Sequence, residues 1–226
     1  MARNARVVIP GCAHHVSQRG NHRQDVFLCD ADRRMYLRLL KHYALRFGMR
    51  VLGYCLMTNH VHLVVVPEAP DALAKGLGRT HNDYARWLHI RQGQSGHLWQ
   101  NRFFSCPLEA GHLAEALRYV EVNPVRARIV AAAWDWEWSS ARARVAGTDA
   151  LGLIDPSDFR ADCRGDFWRQ VLADGWTAAH FAERLRRATQ TGRPVGGEAF
   201  LARAEEQAGR SLRPQKRGPK ARAQAA

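Results

Sequence analysis

The sequence predicts an α+β fold: a ferredoxin-like, RRM-like antiparallel sheet with helices on one face, continued by a C-terminal helical and basic extension. Three observations lead there. Segments with strand-like and helix-like hydrophobic spacing follow one another as β-α-β-β-α-β, then a further helix. Hydrophobic residues make up 46% of the 226, enough for a core and too many for global disorder. Charge is uneven: residues 184–226 carry 11 basic and three acidic residues, +8 of the chain's +13.

The elements follow in order. Ala13–Gln18 reads as a short strand, followed by a basic turn from Arg19 to Arg23. Asp30 or Asp32 can N-cap a helix whose apolar positions Met35, Tyr36, Leu39, Leu40 and Tyr43 recur at helical spacing, and Gly48 ends it. Val51–Met57 and Val61–Val66 are β-rich runs broken by Thr58-Asn59. Pro70–His89 reads as a second helix, Arg102–Leu108 as a strand, and Gly111–Val122 as a third helix stopped at Asn123-Pro124. The Trp-rich stretch 134–138 is expected to pack on this core. Beyond it, 156–187 reads as further helix, 192–197 as a linker and 200–212 as a short helix. The expected organisation is a domain over 1–150, a helical extension over 151–190, and a basic, partly disordered tail over 191–226.

Several classes are excluded. The longest apolar runs fall far short of the roughly 20 residues that span a bilayer. Residues 1–12 lack an apolar signal-peptide core, so the expected location is cytoplasmic, at the nucleoid. Five cysteines, odd in number and never in a C-x-x-C pair, argue against a disulfide framework or zinc ribbon. The basic end fits a polyanion, usually nucleic acid; a solvated end is the plain alternative.

Two stretches carry chemistry. In Asn59-His60-Val61-His62, the strand repeat of two puts both histidines on one face, about 7 Å apart, where they can converge on a divalent metal. The same spacing also fits one packed and one exposed histidine. In the run from Arg118 to Arg128, Tyr119 and Asn123 lie one helical turn apart, with Arg118, Arg126 and Arg128 around them. A buried ring followed by a C-cap would look the same.

Taken together, the stretches resemble the HUH single-tyrosine transposases, most closely the REP-associated tyrosine transposases. The resemblance rests on four co-linear motifs within about residues 10–145. These are His14-His15-Val16-Ser17-Gln18-Arg19-Gly20-Asn21 and Met57-Thr58-Asn59-His60-Val61-His62-Leu63, then Gly96-His97-Leu98-Trp99-Gln100-Asn101-Arg102-Phe103 and the run from Arg118 to Ala127. Thr58 stands where the family's pattern has proline.

The resemblance implies the HUH nuclease fold and a metal-dependent single-stranded DNA endonuclease and strand-transferase. Tyr119 would be the nucleophile, leaving a 5′-phosphotyrosine. His60 and His62 would bind Mg²⁺ or Mn²⁺ with Asn123 as third ligand, Glu121 being the competing candidate. Single-stranded or hairpin, REP-like DNA would be the partner, met by a monomer or homodimer. For that DNA, Arg19 and Arg23 flank a loop suited to contact, and Trp99 and Arg102 suit base stacking and phosphate contact. A DNA-binding protein without catalysis, and an HUH replication initiator or relaxase, are the rival readings. No G-x-x-x-x-G-K-[ST] loop accompanies these motifs.

Overall fold

The computed structural model describes residues 5–158, 163–174 and 179–213. Four strands form one antiparallel sheet: β1 His14–Arg19, β2 Met49–Leu56, β3 His60–Pro67 and β4 Phe104–Pro107, in spatial order β2-β3-β1-β4. Helix α1, Asp30–Arg46, joins β1 to β2, and α2, Ala72–Gln92, joins β3 to β4. This is the β-α-β-β-α-β order read from the hydrophobic spacing. The first helix starts one residue earlier than either aspartate allows as a cap. Cys29 is the N-cap residue, and Asp32 reaches back to accept from the backbone N–H groups of Leu28 (2.7 Å) and Cys29 (3.0 Å).

Alternation along β3 sorts the two faces. Val61, Leu63 and Val65 pack with Tyr36, Leu40, Leu73 and Leu77 of α1 and α2. Val64 and Val66 face the other way, onto Leu117 and Val120 of α3, Leu113–Glu121. The approach of α3 is close. β2 carries an irregularity in its register between Val51 and Gly53, and a Cβ at Gly53 would come 2.5 Å from Leu117 Cδ2.

The C-terminal helices complete that second face. After α4, Asn123–Arg126, the Trp-rich stretch packs as expected: Trp138 is buried and Trp136 Nε1 donates to the Leu56 carbonyl at 3.1 Å. Next comes α5, Ala141–Ala146. The expected helical stretch beyond residue 156 comprises α6, Gly165–Ala173, and α7, Ala179–Thr191. Trp168, Leu172, Phe181 and Leu185 from these two share a core with Leu117 and Val120. The expected linker runs beside β4, where Val195 donates to Pro107 (2.9 Å) and accepts from Glu109 (2.8 Å). Helix α8, Glu198–Ala208, sets Phe200 and Ala204 against Val7 and Ile9. Of the tail expected over 191–226, residues 214–226 lie outside the described residues. No helix among them is long and apolar enough to cross a membrane.

Candidate active site

β3 is central, paired with β2 on one side and β1 on the other. In the β1–β3 register Ser17 faces His62 and His15 faces Val64. His15 is therefore the diagonal neighbour of His62 on the same face, within reach of a long side chain. The rings stack, with centroids 5.2 Å apart and planes 17° apart. His60 lies edge-on to His62 at 5.0 Å. Helix α3 lowers Tyr119 onto this cluster, its ring 5.7 Å from that of His62 and 5.6 Å from that of His15, near perpendicular to both.

His60 and His62 each have one nitrogen engaged, and His15 has both. His60 Nδ1 meets Asn59 Oδ1 at 2.7 Å, and His62 Nδ1 meets His15 Nε2 at 3.1 Å. His15 Nδ1 meets Thr189 Oγ1, from α7, at 2.6 Å. Burial, helped by the positive charge of Arg19, pushes His60 down to about 4. Burial, then His60, His15, Arg19 and Arg126, hold His62 well below the usual histidine range. Burial alone brings His15 down to about 3. All three rings are neutral at pH 7, the form that ligates metals.

Pro124 explains the Asn123 geometry. Proline has no N–H to give the Val120 carbonyl four residues back. Asn123 Nδ2 supplies one at 3.2 Å and donates to the Tyr119 carbonyl at 2.7 Å, where the chain breaks between α3 and α4 at Val122. Asn123 Oδ1 has no hydrogen-bond partner among the described residues. Two neutral imidazoles, each with Nε2 uncommitted, and one amide oxygen fit a borderline-hard divalent cation whose remaining positions go to phosphate and water. Among the described residues no group of three or more His, Cys, Asp or Glu could hold a metal ion.

Glu121 is spoken for. It is wholly buried, accepts from Ser140 Oγ (2.5 Å) and Trp168 Nε1 (2.7 Å), and pairs with Arg144 Nε at 3.2 Å. Burial raises its pKa against those partners. Between Asn123 and Glu121 as a ligand, only Asn123 retains a free oxygen.

The arginines divide. Arg126, itself exposed, lies over the Tyr119 ring with its guanidinium carbon 5.1 Å from the centroid. Arg19 is exposed at the end of β1, opposite His60 in the register. Arg23 is exposed, and Asn59 Nδ2 donates to its carbonyl at 3.1 Å, docking the basic turn on the start of β3. Arg128 is exposed past α4. Arg118 is set apart: its charged neighbours are Asp174 and Glu115, and burial lowers its pKa. Arg102 is exposed on a cleft of about 410 Å³ shared with Arg6, Phe104, Thr189 and Arg210. Trp99 is half-buried among Tyr36, His81 and Tyr84, its Nε1 donating to the His81 carbonyl at 2.9 Å. A larger cleft of about 670 Å³, beside α1 and α5, contains none of these side chains.

Two members of the cluster had no role in the sequence reading. His15 stands in the motif His14–Asn21, and pairing β1 with β3 puts it beside His62. Thr189 carries no sequence signal; only the docking of α7 on the sheet brings it in.

The family model for IS200-like transposases matches residues 9–123. No curated protein matches the chain. A solved structure of a REP-associated tyrosine transposase bound to a REP hairpin is similar over 71% of this chain and 96% of its own, at 19% identity and a TM-score of 0.53. A crystal structure of a protein assigned as a transposase from Deinococcus radiodurans R1 is similar over 57% of this chain and 92% of its own, at 18% identity and a TM-score of 0.37. The first of these likenesses is one of fold.

Proposed function

The chain belongs to the IS200-like transposase family, and from that premise we propose that it cuts and rejoins single-stranded DNA at or near REP-like hairpins, through a covalent bond to Tyr119. The observation that carries this is the meeting of His60, His62 and Tyr119, with ring centroids 5.0 and 5.7 Å apart along the series. The hairpin substrate is taken from the structural neighbour, which is bound to one.

His60, His62 and Asn123 would hold the cation. When bound, Mg²⁺ or Mn²⁺ supplies Lewis-acid polarisation of the scissile phosphate. Tyr119 Oη attacks phosphorus, forming a phosphotyrosyl bond as the bond to the 3′-oxygen breaks. The electron pair leaves with that oxygen, which gains a proton, and the tyrosyl proton passes to solvent. Because the phosphodiester is exchanged and not hydrolysed, a 3′-hydroxyl can reverse the step and join strands. Arg19 and Arg126 supply positive charge beside the phosphate. Tyr119 is only 2% exposed, with the Arg126 guanidinium over its ring.

Incubation with hairpin-bearing single-stranded DNA and Mn²⁺ should yield a protein–DNA adduct that survives denaturing electrophoresis and is absent in chelator. A protein that binds the hairpin and forms no adduct would be a DNA-binding protein without catalysis.

A further inference from the structure

The hydrogen bonds around the two histidines run outward to main-chain carbonyls, and a carbonyl can only accept. From His62 the path passes through His15 Nε2 (3.1 Å) and then Thr189 Oγ1 (2.6 Å) to the carbonyl of Leu185 (2.7 Å). A hydroxyl has one hydrogen, and the Leu185 carbonyl takes it. Thr189 Oγ1 is then an acceptor toward His15 Nδ1–H, and also toward the Cys106 thiol at 3.3 Å. A neutral imidazole with its proton on Nδ1 has a bare Nε2, which accepts from His62 Nδ1–H. That leaves the lone pair of His62 on Nε2.

The second path reaches the same end. Asn59 Nδ2 donates to the Arg23 carbonyl at 3.1 Å, which turns Oδ1 toward His60 Nδ1 at 2.7 Å. An amide oxygen only accepts, so His60 carries its proton on Nδ1 and its lone pair on Nε2.

We infer that Thr189 and His15, on one side, and Asn59, on the other, are positioning residues that hold His62 and His60 in the tautomer with Nε2 bare, ready to ligate a divalent cation. The inference rests on reading His60 and His62 as the metal ligands. It gives α7, which lies beyond the matched family segment, a part in the site: a threonine on the far side of a buried histidine sets the proton on a ligand it never touches. Partners hydrogen-bonded to a ligating histidine, as His15 and Asn59 are, typically change metal affinity about 10–100-fold when removed, and Thr189 acts through His15.

The test uses the full chain without metal. Long-range proton–nitrogen correlation spectra of ¹⁵N-histidine-labelled protein report each ring's tautomer, with His60→Gln and His62→Gln assigning the signals. The expected result is Nδ1–H for both rings. Thr189→Val, nearly the same shape, removes the acceptor for His15. It should shift the His62 tautomer and weaken Mn²⁺ binding, followed by the paramagnetic resonance of the free ion, by about tenfold or more. Thr189→Ser should restore both. Nε2–H at His62 in the wild type would overturn the inference. So would a Thr189→Val protein whose tautomer and Mn²⁺ affinity match the wild type. Nδ1–H rings in a wild-type protein that does not bind Mn²⁺ would support the relay and overturn the metal reading.

Discussion

Asn123 Nδ2 donates to the carbonyl of Tyr119 at 2.7 Å, so the candidate nucleophile and the candidate third ligand are tied through the main chain as well as placed one turn apart. The same Nδ2 also reaches the Val120 carbonyl at 3.2 Å, the acceptor that Pro124, having no N–H, leaves unserved. These bonds turn the amide so that its oxygen faces away from the backbone it caps.

Asn123 can therefore be tested in two halves. Asn123→Ala should lower stability by about 1 kcal/mol, the usual net worth of such a bond, and weaken Mn²⁺ binding. Asn123→Asp keeps an oxygen and loses the donor, so it should lose similar stability while retaining Mn²⁺ affinity. Urea unfolding and metal titration separate the two. Equal Mn²⁺ affinity in the wild type and the alanine variant would remove Asn123 from the ligand set.

Tyr119→Phe should form no covalent adduct yet bind the hairpin as the wild type does. The Tyr119 hydroxyl makes no hydrogen bond among the described residues, so the packed ring survives the change. Stability should stay within about 0.5 kcal/mol. An adduct formed at the wild-type rate would exclude Tyr119 as nucleophile.

Arg144→Met should be far more harmful than its distance from the chemistry suggests. It strips a wholly buried Glu121 of its cation at 3.2 Å. Breaking such a pair from one side typically costs about 3–5 kcal/mol. Urea denaturation measures this. A loss under about 1 kcal/mol would mean that Ser140 and Trp168 alone suffice for the carboxylate.

Acid should destabilise the protein well before its carboxylates protonate. Burial pushes His14 down to about 4 and His81 down to about 3. The unfolded chain takes up protons near pH 6.5 and the folded chain does not. Their contribution is thus complete above pH 6.5 and lost as pH falls toward 4, each group at up to about 1.4 kcal/mol per pH unit. The urea midpoint should drop steadily from pH 7 to pH 5, and a flat midpoint would contradict this.

Ending the chain after Arg213 removes Lys216, Arg217, Lys220 and Arg222 and spares the contacts of α8 with Val7 and Ile9. If those four meet phosphates, the slope of log affinity against log salt for single-stranded DNA should become shallower by up to roughly 3. Thermal stability should not change. An unaltered slope would make this end a solvated one.

Much of this molecule was legible one residue at a time. The two-residue period of β3 put His60 and His62 on one face, and Val61 and Leu63 on the other. The 3.6-residue period put Asn123 one turn beyond Tyr119, and proline's missing N–H marked where the helix would stop. These are local rules, set by backbone geometry within a few residues. What needed the tertiary structure was the pairing of distant segments. The register of β1 on β3 stacked His15 against His62, 47 residues apart in sequence. The docking of α7 brought Thr189 to His15 across 174 residues. Burial made Glu121 the partner of Arg144, and packing set the half-buried Trp99 among Tyr36, His81 and Tyr84. Polar groups withdrawn from water must find partners wherever the fold offers them. Which partner each one finds depends on how sheet and helices pack, and no local period in the chain encodes that.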